Sequence, residues 1–104
     1  MEHIEKLAED IAASGIKHVF GIPGSGPSLT LIDHLEKRNV NFCLTHFEGT
    51  AAIIAGTIGK LSGNTGVSIG IKGPGLTNMV PGLASCFFES MPVVAITEAY
   101  SPDT

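Results

Sequence analysis

The sequence predicts an α/β domain built on an open parallel sheet with helices on both faces. Three observations carry this. Short apolar runs alternate with stretches of helical periodicity, the alternation that produces right-handed βαβ units. The Gly and Pro residues gather in a few turns just after the apolar runs. One run, Met91 to Thr97, is apolar almost without interruption, as in strands buried on both faces.

Taken in order, Ile4, Leu7, Ala8, Ile11 and Ala12 recur at helical spacing from Glu2 to Ser14, and Gly15 is the stop. His18 to Gly21 reads as a first strand, ended by the turn Gly21-Ile22-Pro23-Gly24-Ser25-Gly26-Pro27. A second helix over about 28–37 carries Leu29, Ile32 and Leu35 on one side, and Asn41 to Thr45 is a second strand. The third helix, Phe47 to Leu61, has a smooth surface of Ala51, Ala52, Ala55, Gly56 and Gly59. An interior helical Gly costs about 1 kcal/mol, so two of them imply a close neighbour. Val67 to Ile71 is a third strand, and Gly73-Pro74-Gly75 opens a fourth helix with Met79, Val80, Leu83, Ala84, Phe87 and Phe88 as its apolar face. Pro81 inside that pattern predicts a kink or a late start near Asn78. The fourth strand, Met91 to Thr97, is expected at the centre of the sheet, and Glu98 to Thr104 is a loop leading onward.

The 104 residues, 43% hydrophobic and 15% charged, suit one globular domain with a modest core. Six basic against ten acidic residues, with no basic stripe, argue against a nucleic-acid partner. No apolar run reaches membrane-spanning length and the first residues lack a secretory pattern, so a cytoplasmic protein off the membrane is expected. Cys43 and Cys86 read as free buried thiols of a reducing compartment.

Three loops follow strands at one edge of such a sheet: Gly21 to Pro27, Thr45 to Glu48, and Lys72 to Asn78. In open parallel sheets that edge forms the ligand crevice. The first loop is not a dinucleotide fingerprint, because Leu29 stands where the third Gly would fall. His46-Phe47-Glu48 matches half of a zinc-deaminase signature, but the P-C-x-x-C half is missing and no metal site is expected. Glu48 has two readings. With Thr45 it forms the pattern of a capping box; alternatively it is a carboxyl offered to the crevice. Gly73-Pro74-Gly75 is either a tight turn into a helix or a close backbone approach to a ligand.

Four segments occur together in order: Phe20-Gly-Ile-Pro23-Gly24-Ser25, Glu48 with Ala51 and Ala52, Gly73-Pro74-Gly75-Leu-Thr-Asn78, and Glu89-Ser-Met-Pro92-Val-Val-Ala-Ile-Thr97. In this the chain resembles the N-terminal pyrimidine-binding (PYR) domain of thiamine diphosphate enzymes of the acetolactate synthase, pyruvate oxidase and benzoylformate decarboxylase group. The resemblance implies that residues 1–104 are a partial PYR domain, short of about two strands, in a 2-oxo acid decarboxylase or carboligase. It implies that Glu48 holds a ring nitrogen of the cofactor's aminopyrimidine and so turns the exocyclic amine into a base, with the cofactor as electron sink. Pro23, Gly24 and Ser25 would approach the pyrimidine, with Ser25 facing the substrate carboxylate in some relatives; Gly73, Pro74, Gly75 and Asn78 would line the cofactor's other side. Diphosphate and Mg2+ would be held by a separate domain or subunit, in a homo- or hetero-oligomer, without which this chain is inactive. The smooth third helix would lie at the subunit interface. Lys72 departs from the small or hydroxyl residue usual before Gly-Pro-Gly, and the His that some decarboxylases carry beside this loop is absent. The competing class is a non-catalytic α/β binding module that keeps the fold.

Overall fold

The computed structural model describes residues 2–24 and 26–102, so Ser25 lies outside the described residues. The elements run α1 (Glu2–Ala13), β1 (His18–Ile22), α2 (Pro27–Glu36), β2 (Asn41–Leu44), α3 (Glu48–Ser62), β3 (Gly66–Gly70), α4 (Pro74–Phe88) and β4 (Val93–Thr97). All pairings are parallel and the strand order is β2-β1-β3-β4. Chain progress therefore reverses direction between β1 and β3, the switch point at which open α/β sheets place their crevice.

The alternation of side chains in β3 explains the two layers. Val67 and Ile69 join Ala8, Ile11, Val19, Leu31 and Leu35 in a core under α1 and α2. The intervening Gly66, Ser68 and Gly70 turn to α3 and α4, where a Cβ on Gly66 would strike the Ala55 carbonyl and one on Gly70 would stand 2.6 Å from Met79 Cε. Small residues on that face let the helices lie almost on the strand backbone. Ser68 Oγ, fully buried, donates to Met79 Sδ at 3.2 Å.

Four expectations need correction. The smooth face of α3 is used within the chain: a Cβ on Gly56 would meet Cys86 Sγ at 2.5 Å, and one on Gly59 would meet Gly66 N at 2.7 Å. Its small residues thus serve close packing on α4 and the sheet, and the residues α3 turns outward are Ile53, Ile58 and Leu61. The buried seam of α4 is Gly75, Met79, Gly82 and Cys86, whereas Val80, Phe87 and Phe88 are exposed. Packing α3 this closely selects the small-residue side of α4 over its large apolar one. The helix also starts at Pro74 and runs through Pro81, with no late start; the first turn already lacks intrahelical N–H partners, so Pro74 fits there at no cost. Finally β4 is an edge strand of this sheet, and Val94 is 49% exposed, so its apolar run is not covered on both faces by the described residues. β3 is the strand buried throughout.

Cys86 is buried in α4, its thiol donating to the Ala52 carbonyl at 3.3 Å, and burial pushes that thiol up. Cys43 is half-buried on β2, 4.0 Å from His18 Nδ1, so only one of the two thiols is sealed in the interior.

Candidate active site at the sheet switch point

The registers Gly21↔Leu44, Ile22↔Gly70 and Gly70↔Thr97 bring the carboxyl ends of all four strands to one edge. Along that edge the following residues are Thr45 to Glu48, Pro23 and Gly24, Ile71 to Gly75, and Glu98. The sequence pattern anticipated three of these four segments.

Glu48 is the first residue of α3 and only 8% exposed. The capping-box reading fails on geometry. The N-cap is Phe47, which makes no side-chain cap bond, and Thr45 Oγ1 donates to the Phe47 carbonyl at 3.0 Å. The Glu48 side chain turns instead to α4, where Oε1 accepts from Asn78 Nδ2 at 3.4 Å, a long contact for this donor pair. Because α3 and α4 lie side by side, a loop after β2 and a helix after β3 deliver their polar groups to one place. A carboxylate in the first turn also gains from the helix dipole, by about 0.3–1 kcal/mol, which offsets part of its burial cost.

Gly73 has φ +73 and caps α4 without a side chain, a conformation L side chains rarely adopt. Gly75 is buried, and a Cβ there would stand 2.7 Å from Ile71 Cγ2. Thr77 closes the turn through its N–H and hydroxyl, both donating to the Gly73 carbonyl. Lys72 extends its ammonium over the Tyr100 ring, 5.3 Å from the centroid. In the first loop Pro23 and Gly24 are half-buried, and a Cβ on Gly24 would meet Ile71 Cγ1 at 2.5 Å. The first and third loops are therefore in contact, and a side chain at Gly24 would force Ile71 to move.

The residue that sequence reasoning missed is Glu98. It is 9% exposed, its Oε2 accepts from the Ser28 backbone N–H at 2.9 Å, and Oε1 has no hydrogen-bond partner among the described residues. Burial alone would push this carboxyl up, but the Ser28 hydrogen bond and the nearby Lys72 ammonium outweigh it and hold the group below the usual carboxylate range. The available signal was its position: like Glu48, it is an acid one step past an apolar strand. A cavity of about 180 Å3 on the α1/α2 side has Leu7, Leu31, Ile69 and Ile96 among its walls together with Ser28 and Glu98. Glu48, Asn78 and the Gly73–Gly75 turn do not line it.

Residues 1–102 match the family described as "Thiamine pyrophosphate enzyme, N-terminal TPP binding domain". The chain belongs to this family. Relatives include the probable acetolactate synthase large subunit of Methanocaldococcus jannaschii, 37% identical over 97 residues. The acetolactate synthase isozyme 2 large subunit of Escherichia coli is 41% identical over 97 residues, and the acetolactate synthase of Bacillus subtilis 34% over 92. These alignments cover 93%, 93% and 88% of this chain but only 16%, 18% and 16% of the relatives, so the chain spans about a sixth of their length. At the β1/β3 switch point of this domain, Glu48 and Asn78 stand on one sheet face and Glu98, linked to α2, on the other. No helix among the described residues is long and apolar enough to cross a membrane.

Proposed function

We propose that this domain is the pyrimidine-binding half of a thiamine diphosphate-dependent 2-oxo acid decarboxylase or carboligase of the acetolactate synthase kind. The observation that carries the reading is Glu48: a buried carboxyl at the crevice whose only described hydrogen-bond partner is a long one from Asn78. Such a group keeps hydrogen-bonding capacity for a ligand, donating its O–H to a ring nitrogen when protonated and accepting from an N–H when ionised, and its burial makes that bond stronger than it would be in water. The donor set therefore fits an aminopyrimidine. When bound, the cofactor supplies the electron sink for cleaving the bond beside a 2-oxo group.

The chain's own part is binding, orientation and one proton. Glu48 holds a proton against the pyrimidine ring nitrogen, and Asn78 fixes the carboxyl's rotation. Gly73, Pro74 and Gly75 are proposed to present backbone to the ligand, on the resemblance; the small residue at Gly75 is also what its packing on Ile71 requires. Pro23 and Gly24 close the opposite side. Ser25 is proposed to face the substrate carboxylate, on the resemblance alone. The amide at the start of α2 is already taken by Glu98, so this helix end is poorly suited to the diphosphate. That agrees with diphosphate and Mg2+ being held by another domain or subunit. The exposed Ile53, Leu61, Val80, Phe87 and Phe88 on α3 and α4 offer apolar surface for such a partner.

The test is Glu48→Gln in the assembled enzyme that carries this domain with its diphosphate-binding half. Turnover dependent on thiamine diphosphate should fall at least about 100-fold, the size of a general acid–base contribution, with the melting temperature changed little. Full turnover in this variant would return Glu48 to a structural role.

A further inference from the structure

Helix α2 begins without a cap of its own. Its N-cap is Gly26, at φ +106, which has no side chain to offer, and Pro27 follows at the first helical position. The first helical N–H that needs an acceptor belongs to Ser28, and its acceptor comes from 70 residues away: Glu98 Oε2 at 2.9 Å, in a buried contact. Ser28, 4% exposed, does not cap the helix with its hydroxyl either. Its Oγ accepts the N–H of Gly24 at 2.9 Å. The end of β4, the start of α2 and the first loop are thus tied in series, Glu98 to Ser28 to Gly24.

The second carboxylate oxygen shows how close the fit is. Glu98 Oε1 is buried without a described partner, and a Cβ on Gly24 would approach it to 2.9 Å. The Lys72 ammonium and backbone N–H favour the ionised carboxyl, which offsets part of the cost of bringing Oε2 onto the buried helix end. The other wall of the loop is Ile71, against which Gly24 packs with no space for a side chain. Gly24 is held between a carboxylate on one strand end and an aliphatic side chain on the next.

From this geometry we infer that Glu98 is a positioning residue for the ligand-facing loop at Pro23 and Gly24. It acts through Ser28, holding Gly24 in place against Ile71 beside the Gly73-Pro74-Gly75 turn. The inference rests on the reading of that loop as cofactor-facing. A negative carboxylate on a helix N-terminus is favoured by the dipole, and an ionised acceptor makes a hydrogen bond roughly twice as strong as a neutral one.

Two measurements test it. In amide hydrogen exchange on this chain, Glu98→Ala should lower protection at Ser28 and Gly24 at least about tenfold, the loss expected for a charge-assisted bond, with Val67 to Ile69 unchanged. In the assembled enzyme, half-saturating thiamine diphosphate, at fixed excess Mg2+, should rise about tenfold in Glu98→Ala. In Glu98→Gln the rise should be smaller, because the amide oxygen still accepts from Ser28 while the charge is gone. Turnover at saturating cofactor should fall less than the half-saturation rises, measured well below the melting temperature of each variant. Unchanged protection at Ser28 and Gly24 overturns the tie, and lost protection with unchanged half-saturation overturns the positioning role. A wild-type assembly without thiamine diphosphate-dependent turnover overturns the proposed function and this inference together. If Glu98→Ala does not fold, Glu98→Gln decides by the same two readouts.

Discussion

Replacing Gly59 by alanine separates what α3 wants locally from what the fold requires of it. Helix propensity alone predicts a gain of about 1 kcal/mol, since Gly is that much worse than Ala in a helix interior. The tertiary structure reverses the sign. A Cβ on Gly59 would stand 2.5 Å from the Pro92 carbonyl oxygen, 2.7 Å from Gly66 N and 3.1 Å from the Thr65 carbonyl carbon. All three are backbone atoms, and the first two are acceptor and donor of the 3.0 Å hydrogen bond that joins the start of β3 to the residue before β4. Overpacking of this kind costs about 1–3 kcal/mol, and the disturbed hydrogen bond about 1 kcal/mol more. Against the propensity gain, Gly59→Ala should be destabilised by about 1–3 kcal/mol, or at least about 4 °C in Tm for a domain of this size. Urea unfolding checks this: the midpoint should fall with the slope unchanged. Thr50→Ala on the exposed side of the same helix should stay within about 0.5 kcal/mol of wild type. A Gly59→Ala midpoint equal to or above that of wild type would refute the claim that close approach dictates glycine there.

Two further outcomes follow from the same structure. The Glu98 carboxyl sits below its ordinary value in the fold, so its ionisation stabilises the protein above the unfolded value of about 4.3 and that contribution is lost as pH falls through the lower folded value. The Tm difference between wild type and Glu98→Gln should therefore be present at neutral pH and shrink in acid below about pH 4; a difference independent of pH would contradict the assignment. Phe87 and Phe88 pack edge to face with each other at 5.7 Å while 80% and 82% exposed. Phe87→Ser with Phe88→Ser should leave the Tm nearly unchanged and reduce self-association in sedimentation velocity. Unchanged association would move the contact surface elsewhere.

Much of the fold was legible because each strand is a short apolar run, closed by Gly or Pro after β1 and β3 and by an acid-bearing segment after β2 and β4, and each helix shows its period. The order of elements needed nothing else. Less legible was which face of a helix is buried. In α4 the large apolar residues Phe87 and Phe88 stand out in the sequence, yet the buried seam runs through Gly75, Met79, Gly82 and Cys86. Periodicity reports where apolar side chains recur, whereas close approach selects small ones. The apolar run of β4 likewise suggested a central strand, although strand order is a property of pairing that a single strand does not reveal.

By itself, the sequence determined the α/β alternation, the three glycine- and acid-bearing loops, and through their combination the thiamine pyrophosphate family. It could not choose between Glu48 as helix cap and Glu48 as crevice acid, because both use the same spacing. The fold removes the capping box: Thr45 bonds the Phe47 carbonyl, and Glu48 turns to an asparagine 30 residues away. Nor could any local pattern link Glu98 to Ser28, 70 residues apart. Both contacts arise because parallel strands bring their carboxyl ends to one edge, so residues distant along the chain become neighbours only once the sheet is assembled.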